Sequence, residues 1–374
     1  MKKIIIFTLV LILTMTQSYA IVIADSISSE NISSDNFAQD MRLLSFLENE
    51  VDRLFGEQAE IDIVKDLTDF DGNKYTLIEC QSKGYLIFHN NSFNIIEYSP
   101  NSISPYIGYN QGLFYSGPTY YYVWENDTLH HTVIEESHGI EMIEAFTKLS
   151  QANHQEYMKN LDLSVKNYIE TGGELPLQST YSTQALTRIE GADYISALNT
   201  PAEMGYMPNN YCGYIAAGML LLYYDILEND NIINDSLYLN SQGRAFKGSS
   251  FTSLLHSFSG SSSSESTAAD IKVAIDEYLA TRGLSVSEST SVLPVTANIK
   301  QALDQDHPVI LFGSLRRPDD TTYPYERIAH AVLVYGYDGN SLLAHYGWED
   351  YQDVYIVGTW GSSYHIISGF EAAS

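Results

Sequence analysis

Hydrophobic and polar positions change their spacing several times along the N-terminal half of the chain. Apolar residues recur at helical spacing over residues 36–57, which predicts an amphipathic helix. Residues 60–124 instead carry short apolar runs separated by turn-forming pairs, which predicts strands, most clearly at 75–80, 85–89 and 93–98. Helical spacing returns over residues 139–171, where one face is mostly polar.

The C-terminal half contains one strongly apolar stretch, residues 213–227, which has no proline and is long enough for a buried helix. Further helices are predicted at 268–282 and 296–304, and a serine-rich loop is predicted at 248–266. Strands are predicted at 309–312, 328–337, 341–345, 354–357 and 364–367, with a hairpin turn at Asp338-Gly339. Because a helical part precedes a β part, we expect an α+β domain.

Residues 172–191 separate the two halves and have the composition of a linker. They open with Gly172-Gly173, contain Pro176 and are rich in Ser, Thr and Gln. Exposed segments of this kind are where proteolytic cleavage concentrates. We therefore predict an N-terminal domain at 21–171, a linker or processing region at 172–191 and a C-terminal domain at 192–374.

Residues 1–20 are typical of a secretory signal peptide. Two lysines precede an apolar run that is too short for a stable transmembrane anchor, and Ser18-Tyr19-Ala20 gives a small-x-small cleavage pattern. We predict cleavage after Ala20 and secretion of the mature chain, with no stable membrane anchor.

Composition and charge exclude several classes of function. The length of 374 residues suggests two domains, and a hydrophobic fraction of 44% is ample for two cores. Acidic residues outnumber basic ones 47 to 19, and the resulting net charge of -28 argues against nucleic acid or an anionic membrane as a partner. The two cysteines, Cys80 and Cys212, are too few for a disulfide-stapled scaffold, and we expect Cys80 to be a buried strand residue. His130, His131 and His138 lack metal-site spacing and are expected at the surface, so we predict no metal and no other cofactor.

Cys212 stands at the start of the apolar helix, directly after Asn209, Asn210 and Tyr211. Asparagine side chains are good helix N-caps. The positive end of a helix dipole favours the thiolate and can lower the pKa of a thiol below its usual value of ~8.5. The position therefore suits a nucleophile, although a lone cysteine among apolar residues is commonly a small buried hydrophobe.

A histidine that could act as the base of this cysteine lies in the predicted hairpin. His330 begins one strand, and His345 and Trp348 follow the end of the other, so all three lie towards one end of the hairpin. Cys–His catalysis needs an imidazole near the sulfur and a third group that holds the ring. The hairpin supplies a base, a candidate orienting group and an indole that excludes water, and a pair of ordinary sheet histidines is the alternative interpretation. His365 is a rival base, but no Gly-Trp pair accompanies it.

These motifs resemble those of the papain-like cysteine peptidases. Asn-Tyr-Cys-Gly opens a helix, and His-Ala-Val-Leu-Val-Tyr-Gly-Tyr-Asp is followed by Gly-Trp, in the family order of nucleophile, base and orienting group. The resemblance covers residues 190–374 and is to the secreted bacterial streptopain-like and bacteriocin-processing-peptidase-like groups in particular. It implies a two-subdomain catalytic domain, in which a helical half carries Cys212 as nucleophile and a β half carries His330 as general base, with Trp348 as the shielding tryptophan.

Two positions depart from the family pattern. His345 stands where the family usually has the Asn or Asp that orients the catalytic histidine, and we expect its ring to orient His330 in their place. Tyr206 stands where the family has its oxyanion-hole Gln. We therefore expect Asn209 or Asn210 to donate to the oxyanion, beside the backbone N–H of the nucleophile.

The N-terminal half is similar to the propeptides that precede streptopain-like peptidases. A helix is followed by the strands Gly-Tyr-Leu-Ile-Phe and Ile-Ile-Glu-Tyr-Ser. The resemblance implies an α+β prodomain and a secreted endopeptidase made as a zymogen, with a protein or peptide substrate and its own prodomain as partners. A catalytically decayed papain-fold binding protein, and another Cys–His acyl transferase or amidase acting on the cell wall, stay open as alternatives.

Overall fold

The structure is a computed structural model that describes residues 34–56, 59–159, 163–173, 186–199, 211–237, 247–261, 266–291, 296–313, 330–357, 360–361 and 363–373, with only the backbone described for 34–40 and 141. The predicted signal peptide, most of the predicted linker, and Tyr206, Asn209 and Asn210 lie outside these residues. The N-terminal half is defined as residues 34–173 and the C-terminal half as residues 186–373.

The α-helices are α1 Ser34–Phe55, α2 Ile143–Lys159, α3 Leu163–Thr171, α4 Ala192–Ser196, α5 Cys212–Leu227, α6 Gly248–Ser259, α7 Ala268–Thr281 and α8 Thr296–Leu303. The helices predicted at 36–57, 213–227, 268–282 and 296–304 are confirmed, with their ends shifted by a few residues, and the segment predicted as helical at 139–171 contains two helices, α2 and α3. The loop predicted at 248–266 is wrong, because its first part forms α6. Phe251 and Leu255 are buried on the face of α6 that packs on α5 and α7, so tertiary packing outweighs the serine content. Gly260 ends α6 in a left-handed conformation.

The strands are β1 Ile61–Thr68, β2 Lys74–Cys80, β3 Tyr85–His89, β4 Asn94–Ser99, β5 Leu113–Tyr115, β6 Tyr121–Glu125, β7 Thr128–His131, β8 Ser137–His138, β9 Thr187–Arg188, β10 Leu284–Ser291, β11 Val309–Phe312, β12 Ala331–Asp338, β13 Ser341–His345, β14 Val354–Val357 and β15 Ser363–Ala372. The strands predicted from the sequence are confirmed. Strand β10 was not predicted, because its sequence is mostly polar and only alternate residues are partly buried.

One mainly antiparallel sheet runs through both halves of the molecule, in the order β10-β15-β11-β12-β13-β14-β4-β3-β2-β1-β5-β6-β7-β8. The halves join where β4 pairs with β14, with Glu97 opposite Ile356 and Tyr98 opposite Tyr355. The rings of Tyr98 and Tyr355 stack with 4.6 Å between their centroids. The fold is therefore a mixed α/β arrangement whose halves meet edge to edge.

The helix α5 packs against β11 and β12 of this sheet, and nearly all of its side chains are buried. The hairpin of β12 and β13 is confirmed, with Leu333 opposite His345. This packing brings the start of α5 to the start of β12, where the sequence places the candidate nucleophile and base. Within the described residues, no helix combines the length and apolar character that a membrane crossing requires.

Candidate active site

The sulfur of Cys212 lies in a dense set of main-chain donors. The N–H groups of Gly213 and Ala331 donate hydrogen bonds to it, and together with the N–H of Cys212 itself they lower the pKa of the thiol. Gly213 permits close packing at this point, because a Cβ there would collide with the hydroxyl of Ser266 and lie 3.2 Å from the side chain of Ile271. One of the two donors lies in the first turn of α5 and the other is the first residue of β12.

The ring of His330, immediately before β12, is held by a main-chain carbonyl. Its Nε2 lies 3.1 Å from the oxygen of Tyr346. Because a carbonyl only accepts, Nε2 carries the ring proton and Nδ1 is the acceptor nitrogen. The indole of Trp348 packs against the same ring, with 4.6 Å between centroids. His330 therefore has an unprotonated nitrogen available, which a general base requires.

Cys212 and His330 both adjoin the first residue of β12. Ala331, whose N–H donates to the sulfur, is the direct neighbour of His330 in the chain. The hydroxyl of Tyr120, from the N-terminal half, lies at the same point, where it accepts a hydrogen bond from the N–H of His330, and after burial the nearby Cys212 also raises the pKa of this hydroxyl. The structure thus places the predicted nucleophile and the predicted base on either side of the first residue of β12, and their catalytic pairing stays a prediction.

Burial controls the protonation of this pair. It raises the pKa of the Cys212 thiol to about 11, against the effect of the three N–H groups. Burial also lowers the pKa of His330 to about 4, and the hydrogen bond to Tyr346 offsets this only in part. At neutral pH the pair is therefore an uncharged thiol and an uncharged imidazole. The sequence predicts a lowered thiol pKa from the helix N-terminus, but in this conformation desolvation outweighs the dipole.

His345 does not orient the His330 ring in the way the sequence suggests. It is fully buried, and its Nδ1 accepts the N–H of Gly347 at 2.9 Å. Its Nε2 donates to the carbonyl of Leu198 at 2.7 Å. Both ring nitrogens are occupied, so the carbonyl of Tyr346, and not the ring of His345, holds His330.

His131 of the N-terminal half reaches the active site. Its ring packs edge-on against Trp348, with 5.4 Å between centroids, and it is only 7% exposed, so the predicted surface location is wrong. The Nε2 of His131 donates to the carbonyl of Thr119 at 2.9 Å. Its Nδ1 accepts the N–H groups of Val133 and Ile134 at 3.2 and 3.3 Å. These bonds fix the turn after β7 against the indole.

Glu136 adds a negative charge to the same region. Its carboxylate lies 2.9 Å from Nε2 of His138. Burial favours a higher pKa for Glu136, but its interactions with His138, His131 and His330 hold the pKa below its usual value. The carboxylate also contributes to the raised pKa of Cys212. The N-terminal half thus supplies a hydroxyl, an imidazole and a carboxylate around the Cys–His pair.

Other predicted residues have different roles or lie outside the described residues. Asn209 and Asn210, the expected oxyanion donors, lie outside the described residues, and their role stays a prediction. His365, the rival base, is buried in β15, where it bonds Thr290 at 3.0 Å and Glu288 at 3.0 Å, and it takes no part in this site. Within the described ranges, His, Cys, Asp and Glu side chains form no group of three that could hold a metal ion.

The comparison with protein families supports a peptidase. Residues 189–367 match the Peptidase_C39 like family, and this match supports a cysteine peptidase of the papain-like superfamily. Among solved structures, the chain is similar to a C39-like peptidase from Bacillus anthracis, with 15% identity over 45% of this chain and 97% of that one and a TM-score of 0.26. It is also similar to a fragment of prointerpain A from Prevotella intermedia, with 10% identity over 83% of this chain and 98% of that one and a TM-score of 0.30. Similarity at that level supports no conclusion by itself. No curated protein matches the chain.

Proposed function

We propose that the protein is a secreted cysteine endopeptidase of the streptopain-like type, made as a zymogen in which residues 21–171 are the prodomain. The observation that supports this most directly is that the start of β12 adjoins both Cys212 and His330. The sulfur accepts the N–H of Ala331, and the adjacent His330 is held by Tyr346 with Nδ1 unprotonated.

The proposed reaction is acyl transfer through a thioester. His330 accepts the thiol proton while the sulfur of Cys212 attacks the carbonyl carbon of the scissile peptide, and the displaced electron pair moves to the oxygen. The N–H of Cys212 and an Asn side chain, from Asn209 or Asn210, donate to that oxyanion. As the C–N bond breaks, His330 gives its proton to the leaving amine. Water then attacks the thioester, and the proton it loses to His330 returns to the departing sulfur.

The N-terminal half is proposed to keep this site inactive before processing. Tyr120, His131 and Glu136 lie around it and reduce its exposure to water, and desolvation leaves the thiol and the imidazole uncharged. Cleavage in the linker and loss of the prodomain would return water to the site. The thiol pKa would then fall and the imidazole pKa would rise, which favours the reactive ion pair.

The direct test compares Cys212→Ala with Cys80→Ala, which removes the other cysteine of the chain. Cys212→Ala is expected to abolish hydrolysis of a protein substrate and to make the unprocessed precursor accumulate, with Cys80→Ala close to wild type. Normal processing and full hydrolysis by Cys212→Ala would refute the proposal. N-terminal sequencing of the active species should place its start near residue 188, and a start before residue 150 would contradict the domain assignment.

A catalytically inactive binding protein is the second candidate, because the thiol and the imidazole are uncharged in this structure. Alkylation of Cys212 separates the two functions. Selective, pH-dependent labelling after linker cleavage supports an enzyme, and an inert thiol supports the binding protein. Assays on protein and on peptidoglycan distinguish the peptidase from a cell-wall amidase.

A further inference from the structure

We propose that His345 is a positioning residue, which ties Leu198, two residues after the end of α4, to the turn that holds His330. The inference rests on the proposed peptidase function and adds a role for a residue that touches neither reacting group.

The first observation concerns the turn after β13. The Nδ1 of His345 accepts the N–H of Gly347 at 2.9 Å, which ties the ring to this turn. Tyr346 lies between the two residues. Its own N–H donates to Tyr351 at 3.0 Å, and its carbonyl faces Nε2 of His330 at 3.1 Å. The position of His330 therefore depends on a carbonyl whose two chain neighbours are hydrogen-bonded to each other.

The second observation concerns the other ring nitrogen of His345. Nε2 donates to the carbonyl of Leu198 at 2.7 Å, in the segment that follows α4. One further bond joins the same two segments, from the N–H of Asp350 to the side-chain oxygen of Asn199 at 2.8 Å. His345 thus connects the segment that follows α4 with the turn that holds the base.

Packing leaves this turn little freedom. Gly347 has φ +75°, and a Cβ there would lie 2.9 Å from Cγ2 of Ile215, on the first turn of the Cys212 helix. Because α5 closes one side, a turn released from His345 can relax only away from the nucleophile. His345 is fully buried, so water cannot easily replace the two bonds that its ring makes.

The test uses the full-length protein activated by linker cleavage. His345→Ala should lower kcat by roughly ten-fold or more with a smaller change in KM, because a misplaced base costs mainly the chemical step. The limb of the pH–rate profile that reports the His330 imidazolium should also move to lower pH, since the Tyr346 carbonyl normally raises that pKa. His345→Gln, whose amide can keep the bond to Leu198, should lie between wild type and His345→Ala, and it carries the test if His345→Ala does not fold.

His365→Ala is the matched control, because it removes another fully buried histidine of the C-terminal half that makes two polar contacts of its own. It should leave the pH limb in place. A wild-type kcat in the His345 variants, or a loss equal to that of His365→Ala with no movement of the limb, would overturn the positioning role. Hydrolysis by Cys212→Ala would instead refute the proposed function, so the two failures are distinguishable.

Discussion

His131 packs edge-on against Trp348, with 5.4 Å between the ring centroids, and Trp348 in turn packs on His330 at 4.6 Å. A residue of the N-terminal half therefore contacts the indole that shields the candidate base. The contact adds to the desolvation that leaves the partly exposed Cys212 and His330 uncharged. His131, as part of this contact, is expected to control release of the N-terminal half.

Acid is expected to weaken the attachment of the N-terminal half through His131. Burial lowers the pKa of His131 from 6.5 to about 4, and nearby His138 adds to this effect, while the bond to Thr119 and the charge of Glu136 oppose it. A lowered pKa means that the attached form binds fewer protons than the released form. The stabilisation is therefore present above pH 6.5 and is lost as the pH falls towards 4. Each group with a lowered pKa changes the free energy of attachment by up to about 1.4 kcal/mol per pH unit.

The check is the fraction of the N-terminal half that co-elutes with the C-terminal half after linker cleavage of Cys212→Ala, measured against pH. Groups facing His131 include Glu136, His138 and His330, and His330 titrates with the same sign. His131→Phe should therefore lower by about one the number of protons taken up on release, and some pH dependence should persist. His130→Phe, on the same strand, should change nothing. Equal pH dependence in His131→Phe and wild type would contradict this role.

The hydroxyl of Tyr120 is expected to contribute to attachment by accepting the N–H of His330. Tyr120→Phe keeps the ring but leaves that N–H without its partner, which should cost about 0.5–1.5 kcal/mol. The co-elution assay gives the change as faster release of the N-terminal half. Tyr75→Phe is the control, because its hydroxyl bonds Asp69 within the N-terminal half. Equal release rates in the two variants would count against a contact at the active site.

The joint between β4 and β14 should hold the halves together after the linker is cut. Tyr98→Ala removes the ring that stacks on Tyr355, and such aromatic pairs contribute about 0.5–1.5 kcal/mol beyond their buried area. We expect faster release in the same assay. Phe70→Ala loses a comparable stack, with Phe114 at 4.6 Å, but entirely within the N-terminal half. If both variants release the N-terminal half at the wild-type rate, the sheet joint does not hold it.

Local patterns in the sequence were enough to predict the elements that carry the site. The apolar run beginning at Cys212 predicts α5, and the hairpin signals around Asp338 predict β12 and β13 with His330 at their entrance. These features depend on residues close together in the chain. The pairing of Glu97 with Ile356 could not be predicted, because short apolar strands far apart in sequence carry no signal for each other.

The misassigned site residues share a physical cause. Sequence motifs report side chains, and His330 is held by a main-chain carbonyl, which any residue at position 346 provides. The position of His345 in the sequence predicts an orienting group, but both of its ring nitrogens are hydrogen-bonded elsewhere, to Gly347 and Leu198. His131 was expected at the surface because its burial depends on Trp348, more than two hundred residues later in the chain.

The central claim is that the sulfur of Cys212 and the imidazole of His330 act as a pair once the N-terminal half has left. The most direct measurement is the pH dependence of iodoacetamide labelling in a Cys80→Ala background, where Cys212 is the only thiol. After linker cleavage and removal of the N-terminal half, the claim predicts rapid labelling below pH 7 that His330→Ala abolishes, leaving an ordinary thiol that titrates near ~8.5. Identical labelling profiles with and without His330 would contradict it.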